Sequence, residues 1–141
     1  MTTYTAIEPP RIYPTFRFRD AAAMIDWLRD AFGFTVKARY EDDKGVVGHA
    51  ELALGSSIIM CGQAQEDEYG TIVGQPGDQG GKSLYIAVDD VDALFEQVRK
   101  AGAAIEQGLT DRDYGSREFI CRDPEGNVWC FGTYWPKAHE G

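Results

Sequence analysis

Apolar residues follow two different periods along this chain, and the two periods come in a fixed order. Residues 12–19 alternate between apolar and polar positions, which predicts a strand. Residues 21–31 carry apolar side chains at helical spacing, with Asp20 placed as an N-cap and Gly33 as the glycine that ends the helix. Three further strands are predicted, over residues 35–40, 46–54 and 57–61.

The second half of the chain repeats this order. A strand is predicted at residues 84–88, a helix after Asp90 that ends before Gly102, and strands at 103–106, 117–121 and 128–134. Residues 63–82 are rich in Gly, Gln and acids without an apolar period, which predicts a linker or mobile loop. We therefore expect one α+β domain over residues 1–141, with βαβββ modules at about 11–62 and 83–135.

A single offset relates the two modules. Asp20 corresponds to Asp90 because 90 − 20 = 70, and Gly62 corresponds to Gly132 because 132 − 62 = 70. The same shift places Met24 on Leu94, so caps, helix core positions and strand ends all agree. This agreement over distant elements indicates an internal duplication.

Composition excludes several partners. The net charge of −9 argues against nucleic acid, whose phosphates require a basic face, and is compatible with a cationic ligand. No apolar run approaches the ~20 residues of a membrane span, and residues 1–10 lack the basic start and apolar core of a signal peptide. Three cysteines without Cys-x-x-Cys spacing suit a reducing compartment. We expect a cytoplasmic protein that contacts neither nucleic acid nor membrane.

Several motifs in order resemble one family. They are GHAEL at residues 48–52, YGSR at 114–117 and the turn sequence DPEGNVW at 123–129, and the resemblance extends over residues 12–134. The chain resembles the vicinal-oxygen-chelate superfamily, which includes glyoxalase I, bleomycin-resistance proteins and extradiol dioxygenases. It is most similar to the small glyoxalase-like proteins. The resemblance implies two βαβββ modules that form a half-barrel cleft, commonly in a homodimer.

The resemblance also implies where a divalent metal would be held. In enzymatic relatives the ligands are His, Glu or Gln on the first and last strands of each module, and these places fall at Tyr13, Met60, Ser83 and Cys130. A phenol, a thioether, a hydroxyl and a thiol do not make a site for a hard divalent ion. We therefore expect no metal and no cofactor, with a divalent metal held by displaced ligands as the alternative.

Strand parity predicts which side chains line the cleft. If Ala50 and Leu52 face the helices, His49 and Glu51 face the cleft, where the carboxylate could orient the imidazole. Arg17 would bind a ligand anion or pair with Glu51. The predicted ligand-binding set is Tyr13, Thr15, Arg17, His49, Glu51, Met60, Ser83, Tyr85, Phe119 and Cys130, and the same parity turns Ala87, Cys121 and Val128 inward.

Three hypotheses about function follow. The first is a metal-free small-molecule binding protein of the bleomycin-resistance kind that sequesters a planar or partly cationic ligand. The second is a lyase, isomerase or dioxygenase of the same superfamily, with displaced metal ligands or with His49 as a base beside Glu51. The third is a subunit with a vestigial cleft that acts in protein–protein contact. The lost ligand set favours the first, so we expect binding rather than catalysis.

Overall fold

Two four-stranded sheets form the framework of this computed structural model, which describes residues 8–77 and 81–137. Of the three helices within these ranges, two lie in corresponding places in the modules and the third lies between the modules. Module 1 contains β1 (Thr15–Phe18), α1 (Ala21–Trp27, continued by a π-helical turn over Leu28–Phe32), β2 (Thr35–Glu41), β3 (Val47–Leu54) and β4 (Ser57–Gln63). After α2 (Glu68–Val73), module 2 contains β5 (Leu84–Ala87), α3 (Val91–Lys100), β6 (Ala104–Asp111), β7 (Arg117–Arg122) and β8 (Val128–Gly132).

The strand order confirms the predicted α+β architecture. The first sheet runs β1-β4-β3-β2 and the second runs β5-β8-β7-β6, so each module has a parallel pair followed by antiparallel strands. Thr15 pairs with Met60 and Tyr85 pairs with Cys130, which keeps the offset of 70 in both strands. In the described residues neither sheet closes into a barrel. No helix in this part of the chain is long and apolar enough to cross a membrane.

The offset changes by one residue at β7. Glu51 of β3 pairs with Met60, whereas Ile120 of β7 pairs with Cys130, and 120 − 51 = 69. The cause is turn length: two residues separate the last pair of β3 and β4, and five separate that of β7 and β8. Because side chains alternate along a strand, a shift of one residue moves every side chain of β7 to the other face.

The apolar core lies between the helices and one face of each sheet, and it continues across both modules. Trp129, with no exposed surface, stacks on Phe16 with ring centroids 5.6 Å apart and meets Phe32 edge to face at 4.9 Å. Aromatic contacts of this kind join β8 of module 2 to β1 and α1 of module 1. The Gln97 amide adds a 2.9 Å hydrogen bond to the Ala31 carbonyl.

Some predicted boundaries were wrong. β1 begins at Thr15 and β8 ends at Gly132, so both strands are shorter than the alternation suggested. The predicted linker contains α2, which begins after Asp67, whose carboxylate accepts a 2.7 Å hydrogen bond from the Gly70 amide. A contact between Asp67 and Arg17 of β1 stabilises this helix. The two residues are 50 positions apart, so the local sequence pattern does not predict the contact.

Candidate ligand-binding cleft

The first sheet presents one mostly polar row on the face opposite its helix. Thr15, Met60 and Glu51 are neighbours on β1, β4 and β3. Residues of the opposite parity, such as Cys61 and Leu52, are buried against the helix. The register therefore turns these three predicted cleft residues to one surface. Whether they contact a ligand stays a prediction.

His49 and Glu51 form a pair at this surface. His49 Nε2 lies 3.0 Å from Glu51 Oε2, and the two side chains are 42% and 38% exposed. The Tyr40 ring stacks beside the imidazole, with centroids 6.1 Å apart. The carboxylate orients the imidazole, and both groups remain accessible to a ligand in water.

Arg17 is engaged by the segment between the modules. Its guanidinium makes two hydrogen bonds to the Asp67 carboxylate, at 2.7 and 2.9 Å, and lies 4.8 Å from the centroid of the Tyr69 ring. The bond from Arg17 lowers the pKa of Asp67 to about 2. The predicted pairing of Arg17 with Glu51 was therefore wrong: α2 supplies the acid, and Glu51 pairs with His49.

Tyr85 and Cys130 are the corresponding neighbours in the second sheet. The Tyr85 hydroxyl donates to the Tyr134 carbonyl at 2.7 Å and accepts from the Tyr134 amide at 3.0 Å. These bonds hold the chain beyond β8 against the ring. Burial raises the pKa values of both Tyr85 and Cys130, so the phenol and the thiol stay protonated at neutral pH.

Phe119 and Cys121 do not line the cleft, which corrects the prediction for both. Neither has exposed surface, and Phe119 packs at 5.2 Å against Phe95 of α3 and at 5.2 Å against Phe131. The shift of register at β7 turns them to the helix face. The prediction for these two residues assumes the offset of 70 and does not include the five-residue turn before β8, which shifts the register by one residue.

Glu118, rather than Phe119, lies on the cleft face of β7. It is 5% exposed and accepts hydrogen bonds from Tyr114 Oη at 2.8 Å and Arg112 Nε at 3.2 Å. Burial raises its pKa, but hydrogen bonds from Tyr114, Ser116 and Arg112 outweigh burial and leave the value lowered. The buried Ser116 hydroxyl has no hydrogen-bond partner of good geometry, but it lies close enough to Glu118 to help lower the pKa of that carboxylate.

Gly132 makes room for this carboxylate. A Cβ at that position would lie 2.6 Å from Glu118 Cγ and 2.7 Å from Tyr85 Oη, so the two side chains meet above the glycine. Sequence reasoning missed Glu118. Its orientation could have been predicted by counting the alternation backwards from β8 through the five-residue turn. That count places Glu118, which lies between Arg117 and Phe119, on the cleft face of β7.

Residues of both modules share a cavity at the seam between β1 and β5. Thr15, Ser83 and Val128 are among the residues that line this space of about 320 Å³. A smaller space of about 160 Å³ lies between Thr15, Arg17 and Tyr69. Thr15 borders both, so the two spaces are adjacent.

The four places of the family's metal ligands do not fit a divalent ion. Tyr13 and Ser83 precede β1 and β5, whereas Met60 and Cys130 lie on β4 and β8. Their donors are a phenol, a hydroxyl, a thioether and a protonated thiol. In residues 8–77 and 81–137, no group of three or more His, Cys, Asp or Glu side chains could hold a metal ion.

Similarity to other proteins agrees with this fold. An uncharacterised protein of Mycobacterium tuberculosis, Rv0887c, is 30% identical over 125 residues, which cover 87% of this chain and 74% of that protein. The crystal structure of TioX from Micromonospora sp. ML1 is 30% identical, with a TM-score of 0.71 over 92% of this chain and 100% of that chain. A family enzyme from Burkholderia phytofirmans PsJN, at 24% identity, shares the fold, with a TM-score of 0.69 over 85% of this chain and 94% of that chain.

The family model extends over nearly the whole framework. It matches residues 13–131, from the residue before Pro14 to the penultimate residue of β8. This range includes both sheets except for the last residue of β8, and every residue of the predicted ligand-binding set. The chain belongs to the Glyoxalase/Bleomycin resistance protein/Dioxygenase superfamily.

Proposed function

We propose that this chain is a metal-free small-molecule binding protein of the bleomycin-resistance kind. One observation carries the proposal: the family's four metal-ligand places hold Tyr13, Met60, Ser83 and Cys130, none of which suits a hard divalent ion. Met60 has Thr15 and Glu51 as its strand neighbours, and Cys130 has Tyr85. Binding therefore requires no ion, and the ligand is recognised by aromatic surface and charge.

The exposed groups of the cleft indicate a planar ligand with cationic character. Tyr40 is 64% exposed beside the half-exposed His49–Glu51 pair, which offers a ring for stacking next to a carboxylate. Arg17, the arginine of the predicted ligand set, is already paired with Asp67, so its charge is poorly placed to attract a ligand anion. The net charge of −9 favours encounter with cations over the whole surface.

Calorimetric titration with a panel of glycopeptide and planar aromatic antibiotics tests this proposal. Glu51→Gln should weaken the binding of cationic members about fivefold. Glu106→Gln, a matched change on β6, should leave binding unchanged, because Glu106 pairs with Arg122 in the other sheet. Absence of heat from every ligand at high micromolar concentration would contradict sequestration. Sedimentation of the same sample tests the homodimer that we expect.

The His49–Glu51 geometry favours a second candidate, an enzyme with His49 as base. At 3.0 Å the carboxylate can orient the imidazole and stabilise its protonated form during proton transfer. Turnover of a hemithioacetal or a catechol would establish this candidate if His49→Ala abolished turnover but preserved ligand binding. Ligand binding without turnover of either substrate would favour the first.

A further inference from the structure

The seam between the modules is closed at one end by a turn. The Glu125 carboxylate accepts hydrogen bonds from the amides of Arg19 and Asp20, at 2.6 and 2.8 Å, just before α1. Asp123 braces this turn by accepting bonds from the Asn127 amide and from Trp129 Nε1. The five-residue connection is long enough to reach from module 2 to the start of the helix of module 1.

The corresponding end of the seam is open. Here the connection is the two-residue turn Gly55-Ser56, which lies across a groove from Asp89 and Leu94. The groove measures about 650 Å³, within the roughly 300–1,000 Å³ of small-molecule sites. Its walls are mainly apolar and include Phe32, Phe34, Ile58, Leu84, Ile86 and Trp135.

The groove also exposes a polar strand edge. Among the described strands β5 pairs only with β8, and every residue of β5 lines the groove. The Val88 amide donates to the Gly132 carbonyl at 2.8 Å. Because backbone groups alternate in direction along a parallel pair, the N–H and C=O of Tyr85 and Ala87 point away from β8. Apolar walls therefore border hydrogen-bonding groups that the sheet does not use.

We propose that this groove is a second binding site, for a flat, uncharged, mainly apolar molecule that carries a carbonyl group. Its rings would lie between the apolar walls, and its carbonyl would accept a hydrogen bond from the Ala87 amide. The site is separate from the His49–Glu51 surface proposed above; it shares Tyr85 with the predicted ligand set and Ala87 with the residues that parity turned toward the cleft. Substitution of His49 or Glu51 should leave it intact.

Two related fluorescent probes test the site. The first, 6-propionyl-2-dimethylaminonaphthalene, has a planar ring with a ketone, and the second, 2-dimethylaminonaphthalene, lacks the ketone. Both should bind the wild-type chain, and the ketone probe should bind about fivefold more tightly because of the extra hydrogen bond. Ala87→Pro removes the free amide without breaking a bond to β8, so it should abolish this difference while the second probe binds as before.

A substitution that fills the groove gives an independent test. Ser57→Trp places a large ring at an exposed position of the lining and should weaken both probes at least tenfold. Ala104→Trp, at an exposed position on β6, should change neither. Wild-type protein that binds neither probe, or equal binding by both tryptophan variants, would overturn the proposal. Dissociation of a dimer by Ser57→Trp, without probe binding, would instead assign the groove to a second copy and would also overturn it.

Discussion

The cleft surfaces of the two modules differ although their strands follow the same order. In module 1 the His49–Glu51 pair is half exposed, and Arg17 is held by a helix outside the sheet. In module 2 the acid is Glu118, buried between Arg112 and Tyr114. One odd-length turn accounts for the difference, because it shifts β7 by one residue against its counterpart. The framework repeats between the modules, and the difference in turn length changes the surface that each module presents.

The largest expected difference between the modules is in stability. Glu118→Ala leaves two hydrogen-bond donors without their acceptor and should lower the free energy of unfolding by about 2 kcal/mol. Glu51→Ala removes a half-exposed acid and should change it by no more than about 0.5 kcal/mol. Urea unfolding of both variants measures the contrast. Equal losses would mean that Glu118 is not buried as the register requires.

The two ends of the seam give a second contrast. Glu125→Ala removes the acceptor of the Arg19 and Asp20 amides and should destabilise the chain by about 1 kcal/mol. Asp89→Ala, at the open end, should cost only about 0.3 kcal/mol through the N-terminal charge of α3. Thermal unfolding of the two variants at one pH measures both. A larger loss for Asp89→Ala would contradict an open groove at that end.

These residues show what the sequence could and could not predict. Periodicity and caps identify Asp20 and Asp90 as helix starts, because those signals lie within a few residues of one another. The face of Glu118 depends on pairing across a turn whose length does not match the offset of 70, so local parity gave the wrong side. The Arg17–Asp67 pair joins residues 50 positions apart and stabilises a helix that composition had marked as a linker.

Acid should loosen α2, which has no counterpart in module 2. The pKa of Asp67 is lowered to about 2 in the folded chain, from about 3.9 in an unfolded one, so the ionised carboxylate stabilises the folded state at pH values above about 3.9. This stabilisation is lost as the pH falls from about 3.9 toward about 2. Hydrogen exchange at the Gly70 amide, which donates to Asp67, should therefore show falling protection below about pH 4. In Asp67→Asn this pH dependence should be absent, and its persistence there would assign the effect to another group.

The three thiols should differ only modestly in reactivity. Burial raises the pKa of Cys61 to about 11 and of Cys121 to about 12, and it also raises that of half-buried Cys130. All three should react slowly with iodoacetamide near pH 8, with Cys130 first, as followed by mass spectrometry. Because the folded state disfavours the thiolates, stability should fall as the pH rises from about 9 toward 12. Rapid modification of Cys121 would contradict its position on the helix face.

Elemental analysis of the chain, purified without chelator and then equilibrated with zinc, nickel, iron or manganese, tests the central claim most directly. The account predicts far less than one metal per chain, because Tyr13, Met60, Ser83 and Cys130 offer no suitable ligand set. Ligand binding measured by calorimetry should be the same with and without added metal. One tightly held metal per chain, lost when His49 and Glu51 are both replaced by Ala, would contradict metal-free binding and establish a site with displaced ligands.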